Sequence, residues 1–79
     1  MSRVENEIIE IIEEYTTDEI TAESALLPLG ISSLNIMKIV VCIEKKFKIR
    51  VSEDELELAK FKYVSDIIKV VESELEKQL

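Results

Sequence analysis

The chain contains a single glycine, Gly30, and a single proline, Pro28, in 79 residues. A sheet of many strands needs frequent tight turns, and glycine and proline are the residues that form them most often. This shortage of turn-forming residues argues against a β-sandwich or a β-barrel and favours a bundle of helices. A chain of this length supports one small core, so we expect residues 1–79 to form a single domain without a deep cleft.

Apolar residues recur with helical spacing in the first and last parts of the chain. Val4 to Tyr15 places five apolar side chains along one helical stripe, and Val64 to Leu75 does the same. Ser2 and Glu5 have the spacing of a capping box at the first of these helices. A second capping box begins at Ser52, which predicts a brief helix that ends at about residue 59.

The connection over residues 16–32 has no helical period and is long for so small a domain. Its apolar side chains are expected to hold it against the core; they are Ile20, Leu26, Leu27 and Leu29. Pro28 and Gly30 interrupt the chain just before the next helix. A long loop that ends so sharply is expected to position a functional group there.

The helix predicted over Ser33 to Phe47 has two apolar faces. At about 100° per residue, one arc holds the core residues Ile36, Ile39, Val40, Ile43 and Phe47. A second arc, about 100° or more away, holds Leu34, Met37 and Val41, with Lys38 and Lys45 on one flank and Glu44 on the other. An exposed apolar patch often marks a binding surface. Packing of these side chains beneath the preceding loop is the alternative, above all for Leu34.

Charge and composition exclude several kinds of function. The net charge is −7, which disfavours nucleic acids and anionic membranes as partners, although residues 33–50 carry five basic residues against Glu44 alone. The absence of histidine excludes imidazole bases and ligands, and a single cysteine, Cys42, excludes a cysteine-rich zinc site, so no metal site is expected. Without a secretory segment or an apolar run of about 20 residues, we expect a cytoplasmic protein.

The segment Leu29-Gly30-Ile31-Ser32-Ser33-Leu34 is the most informative part of the sequence. Glycine allows a tight turn, and a serine at the first position of a helix exposes its hydroxyl beside N–H groups that favour a phosphoryl substituent. No histidine is present to activate this serine as a nucleophile. The pattern fits an acceptor that another enzyme modifies, and helix capping by both serines is the alternative.

This segment, together with the helix that ends in Ile43-Glu44-Lys45-Lys46-Phe47, resembles the acyl or peptidyl carrier protein family over nearly the whole chain. The resemblance implies an all-α, four-helix bundle with a long first loop and a short third helix. It also implies that Ser33 carries 4′-phosphopantetheine, transferred from coenzyme A by a magnesium-dependent phosphopantetheinyl transferase. Ser33 is favoured over Ser32 because it precedes Leu34 at the family's spacing, whereas Ser32 stands where aspartate is common.

In this family the terminal thiol of the arm holds acyl, aminoacyl or peptidyl groups as thioesters, and the carrier itself is not an enzyme. The resemblance implies a monomer whose partners are loading and processing enzymes of adenylation, acyltransferase, ketosynthase or condensation type. Leu34, Met37 and Val41 match positions that these partners touch, with Lys38, Glu44 and Lys45 beside them.

Carriers of bacterial fatty acid synthases usually present an acidic second helix. The lysines of residues 33–50 therefore favour a discrete carrier of a nonribosomal peptide or polyketide-type pathway. A fatty acid synthase acyl carrier protein is the alternative. An unmodified helical adaptor that binds a partner through Leu34, Met37 and Val41 is the second alternative.

Overall fold

The computed structural model describes residues 3–51 and 61–78. These residues form three α-helices, α1 (Arg3–Glu13), α2 (Ser33–Phe47) and α3 (Val64–Lys77), with a 3-10 helix (Leu27–Leu29) in the first loop. Extended pairing within the described ranges is limited to an isolated antiparallel bridge between Ala25 and Tyr63. The prediction of an all-α fold is confirmed. The helix predicted from Ser52 to about residue 59 and the capping serine Ser2 lie outside the described residues.

The helix boundaries differ from the sequence prediction at two ends. The prediction carried the first helix to Tyr15, but α1 ends at Glu13. The N–H groups of Glu14 and Tyr15 bond to carbonyl oxygens three residues back, at 3.3 and 2.9 Å, so the chain tightens into turns there. The last helix continues to Lys77, two residues beyond its predicted end, whereas α2 has its predicted bounds.

Isoleucine and valine side chains from all three helices form one core. Helix α1 packs against both α2 and α3. The helices supply Ile8, Ile12, Ile36, Ile39, Val40, Ile43, Val64, Ile67, Ile68 and Val71. The first loop adds Ile20, Leu26 and Ile31, which confirms that this loop is held against the core. Within the described ranges no helix combines the length and hydropathy that crossing a membrane requires.

Glu44 organises the end of α2 through both its main chain and its side chain. Its carbonyl oxygen accepts the N–H groups of Lys48 and Ile49. Its carboxylate Oε2 accepts the N–H of Val51 at 3.0 Å. The amide Nε2 of Gln78 donates to the carbonyl oxygen of Lys48 at 3.0 Å, which ties the end of α3 to the same point. The glutamate of this segment therefore closes the helix and directs the chain away from it.

Lys48 ends α2 with a left-handed backbone, at φ 56° and ψ 47°. Glycine adopts this conformation without the steric cost that a Cβ atom imposes. We therefore expect Lys48→Gly to raise the free energy of unfolding by about 0.5–1 kcal/mol, measured by urea denaturation. Lys46→Gly, inside the last turn, is the control and should lower it by about 1 kcal/mol. If Lys48→Gly lowers the free energy of unfolding as much as Lys46→Gly does, this explanation is wrong.

Candidate functional site

Ser32 and Ser33 are neighbours, but their hydroxyl groups have different surroundings. Ser32 is the N-cap of α2, with its Oγ accepting the N–H of Asn35 at 3.2 Å. Ser33 is the first residue of the helix and is exposed, and its hydroxyl makes no hydrogen bond with any residue in 3–51 or 61–78. Both serines are exposed, so they differ in one respect: the Ser32 oxygen caps the helix, whereas the Ser33 hydroxyl has no partner among the described residues.

The loop before Ser33 turns through Gly30. The N–H of Gly30 donates to the carbonyl oxygen of Leu27 at 2.9 Å, and Gly30 has a φ of 79°. The next residue, Ile31, is buried, and its N–H donates to the carbonyl oxygen of Leu26. The left-handed glycine thus reverses the chain, and Ile31 anchors it before α2 begins.

A substitution at Gly30 tests this turn. A Cβ atom built at Gly30 meets no other atom within 4 Å, so the cost of a side chain comes from the backbone alone. We expect Gly30→Ala to lower the free energy of unfolding by about 1–2 kcal/mol. Gly30→Asn should lower it less, because asparagine tolerates the left-handed region better. If urea denaturation shows the same loss of unfolding free energy for Gly30→Ala and Gly30→Asn, the left-handed φ of Gly30 is not the cause of the destabilisation.

A groove of about 670 Å³ lies beside Ser33. Its lining is mostly apolar and comes from the first loop, the start of α2 and the segment before α3; it comprises Ala25, Leu26, Leu27, Pro28, Ile31, Ser33, Ile36, Phe61, Lys62 and Tyr63. Main-chain hydrogen bonds join the two sides, from Leu26 N–H to Lys62 carbonyl and from Val64 N–H to Ser24 carbonyl, both at 2.9 Å.

These surroundings fit a phosphopantetheine group on the Ser33 oxygen. The oxygen is accessible, and the first turn of α2 leaves the N–H groups of Ser33 and Leu34 without carbonyl partners in the helix, so they favour a phosphate. The groove offers apolar surface beside the same residue. The first turns of α2 contain no acidic residue that would repel a phosphodiester.

The second apolar face predicted for α2 is exposed in the structure. Leu34 is 62% exposed, Met37 52% and Val41 47%. Leu34, for which packing beneath the loop was the alternative, is the most exposed of the three. On the opposite face, Ile36, Ile39, Val40 and Ile43 are buried, as predicted, and Phe47 is half-buried. We call Leu34, Met37 and Val41 the α2 patch.

The charged residues beside the α2 patch differ in their contacts. Lys38 and Lys45 are exposed and form no ion pair with a residue of the described ranges. The Glu44 carboxylate is half-buried and occupied by the N–H of Val51. The structure thus places all three residues at the border of the patch, but only the two lysines present free charge to solvent.

Two exposed hydrophobic side chains near Ser33 were not identified from the sequence. Leu27 was predicted to pin the loop to the core, and this is wrong, because its side chain is 84% exposed. The 3-10 helix turns Leu27 outward, and its neighbour Leu26 takes the buried position. Tyr63, 47% exposed, stands before α3, where Asp66 rather than the phenol caps the helix by accepting the N–H groups of Lys62 and Tyr63 at 2.9 Å.

The large hydrophobic side chains that the described residues expose to solvent lie in the groove beside Ser33 and along α2. Leu27 and Tyr63 line the groove beside Ser33, and the α2 patch follows Ser33 along the helix. No signal in the sequence identified Leu27 or Tyr63, because both lie in segments without a periodic pattern. No group of three or more metal-binding side chains is found in the part of the chain that the structure describes.

Comparisons with known proteins identify the family that this chain resembles. The family model described as a phosphopantetheine attachment site matches residues 2–71. An acyl carrier protein homolog of Mycoplasmopsis pulmonis (strain UAB CTIP) is 37% identical over 65 residues, which cover 82% of this chain and 86% of the relative. The crystal structure of an acyl carrier protein from Thermotoga maritima is similar, with a TM-score of 0.77 at 25% identity, covering 94% of this chain and 88% of that one.

Acyl carrier proteins are generally non-catalytic, and a phosphopantetheine attachment domain holds its prosthetic group covalently. The match to the family model spans most of this chain, and the relative and the solved structure agree with it. The chain therefore belongs to the phosphopantetheine-attachment family and is a carrier of the acyl carrier protein type.

Proposed function

We propose that Ser33 is the residue that carries 4′-phosphopantetheine and that residues 1–79 act as one carrier domain. The observation that carries this proposal is the difference between the two exposed serines: the Ser32 oxygen accepts a capping hydrogen bond, and the Ser33 hydroxyl has no partner among the described residues. Ser33 also lies within the segment that matches the attachment-site family. The helices described share a single core, which supports one domain.

The residues of this chain hold and present the group. The first turn of α2 supplies N–H groups for the phosphate, and the turn at Gly30 fixes where that helix begins. When bound, the prosthetic group supplies a thiol that holds acyl, aminoacyl or peptidyl groups as thioesters. A phosphopantetheinyl transferase and the loading enzymes are the proposed partners, and the α2 patch is their proposed contact surface, with Lys38, Glu44 and Lys45 at its border.

Intact mass tests the proposal. The purified protein is incubated with coenzyme A, Mg²⁺ and a broad-specificity phosphopantetheinyl transferase, and its mass should increase by one phosphopantetheine. The same mixture without the transferase should leave the mass unchanged, because the chain has no histidine to activate the serine. An unchanged mass with active transferase would contradict the proposal and favour the unmodified adaptor that binds through the α2 patch.

The proposed pathway is nonribosomal peptide or polyketide-type synthesis, with fatty acid synthesis as the alternative. Lys38 and Lys45 beside the α2 patch support it, because charges at a docking surface select partners. An acyltransferase of a fatty acid synthase should load the modified protein more slowly than it loads its own carrier. Equal loading rates would favour the fatty acid synthase alternative.

A further inference from the structure

The free charges beside the α2 patch are positive. At about 100° per residue, Lys45 and Lys38 lie about 50° and 70° from the centre of the patch. Both side chains are exposed, and neither forms an ion pair with a residue that the structure describes. Lys48 and Arg50, which follow α2 in the sequence, are exposed as well.

The acidic residue on the other border does not balance these lysines at the surface. Glu44 is the single acidic residue of α2, and its carboxylate accepts the N–H of Val51 at 3.0 Å in a partly buried position. Its charge is therefore directed towards the segment that follows the helix. The exposed acidic residues of the described ranges lie elsewhere; they are Glu10, Glu13 and Glu14 on and just after α1, Asp18, Glu19 and Glu23 in the first loop, and Glu72 and Glu76 on α3. Among residues 3–51 and 61–78, the exposed lysines Lys38 and Lys45 therefore place positive charge beside the α2 patch, although the net charge of the chain is −7.

We propose that the enzymes that dock on the α2 patch present an apolar pocket bordered by carboxylates. This proposal rests on the proposed function and adds the chemistry of the partner. Apolar contacts with Leu34, Met37 and Val41 would supply affinity, and the lysines would steer the encounter. A partner whose pocket is bordered by lysines would meet like charges and associate slowly.

A purely structural role for the lysines explains only some of them. Lys45 and Lys46 lie in the last turn of α2, where positive charge stabilises the end of the helix. Lys38 lies in the middle of the helix, so this reason does not apply to it. Lys46 is about 150° from the centre of the patch by the same helical geometry. Lys46→Glu therefore serves as a control for Lys45→Glu, because both residues lie in the last turn of α2 and both substitutions change the charge equally.

The test uses two versions of a broad-specificity phosphopantetheinyl transferase that carry either glutamates or lysines at the same positions around the carrier-docking pocket. The wild-type chain should be modified about fivefold faster, in kcat/KM at low ionic strength, by the glutamate version. This preference should largely disappear at about 0.5 M salt, where exposed charges are screened. Lys38→Glu and Lys45→Glu should each reduce or reverse the preference, and Lys46→Glu should retain it.

The docking proposal would be overturned by equal rates with the two enzyme versions, or by an equal effect of Lys46→Glu and Lys45→Glu. In either case the mass increase itself would still support the carrier function. No mass increase with either version would overturn the carrier function and the docking proposal together. Circular dichroism melting curves identify a lysine variant that has lost its fold. For such a variant, the same lysine is replaced by glutamine and the rates are measured again. The rate preference for the glutamate version should then change in the same direction but by a smaller factor.

Discussion

Ser33→Ala is expected to abolish attachment of phosphopantetheine, whereas Ser32→Ala is expected to retain it. Ser33 offers an accessible oxygen at the start of α2, and alanine has no oxygen to receive the phosphoryl group. The Ser32 oxygen already accepts the N–H of Asn35. Intact mass after incubation with coenzyme A and a phosphopantetheinyl transferase measures both variants against the wild type.

The variant that keeps the attachment, Ser32→Ala, is the one expected to lose stability. Ser33→Ala removes a hydroxyl that makes no hydrogen bond within the described ranges, so it should change the free energy of unfolding little. Ser32→Ala removes the helix cap and should lower this free energy by about 1 kcal/mol. If Ser33→Ala keeps the mass increase and Ser32→Ala loses it, the arm is attached to Ser32 and the assignment is wrong.

The largest expected loss of stability follows from Ile39→Ala. Ile39 is 0% exposed and lies on the core face of α2. Deleting its buried methyl and methylene groups leaves a cavity and should lower the free energy of unfolding by about 2–5 kcal/mol. A domain of this size has a total stability of only about 4–12 kcal/mol at the usual value per residue. Urea denaturation followed by circular dichroism should therefore show a large fall in the midpoint or no folded baseline.

Val41→Ala is the matched control, on the same helix but in the α2 patch. Val41 is 47% exposed, and alanine favours a helix slightly more than valine does. The free energy of unfolding should therefore change by less than about 1 kcal/mol. Should Val41→Ala destabilise the protein as strongly as Ile39→Ala, the separation of α2 into a core face and an exposed patch would be wrong. Ile39→Val, with an expected loss of about 0.5–1.5 kcal/mol, keeps the test usable if Ile39→Ala does not fold.

The two faces of α2 could be predicted from the sequence because the helical period determines them. Residues three and four apart share a face, and only one face can meet α1. Ile36 and Ile43 therefore separate from Met37 and Val41 without knowledge of the rest of the chain. The same reasoning located the core side chains of α1 and α3. It placed the end of α1 two residues too late, because Tyr15 continues the apolar pattern after the helix has turned.

The surroundings of Ser33 could not be predicted in the same way. Leu26 and Leu27 are adjacent and chemically identical, yet one is buried and the other exposed. No period distinguishes them, because a 3-10 helix and a glycine turn determine their directions. The groove depends on contact between the first loop and residues 61–63, which are distant in the sequence. The choice of Ser33 over Ser32 came from the family's spacing, and the physical difference between them became visible only in the hydrogen bond of the cap.

The first loop is attached to the start of α3 by main-chain atoms. Ser65 N–H donates to the carbonyl oxygen of Ala22 at 2.8 Å, and Leu26 N–H donates to that of Lys62 at 2.9 Å. Such bonds are nearly independent of which side chains the segment carries, so an exposed residue such as Glu19 is open to replacement. The exposed positions of this loop are therefore a natural place to introduce residues from other carriers, provided that Ile20, Leu26 and Ile31 are kept in the core.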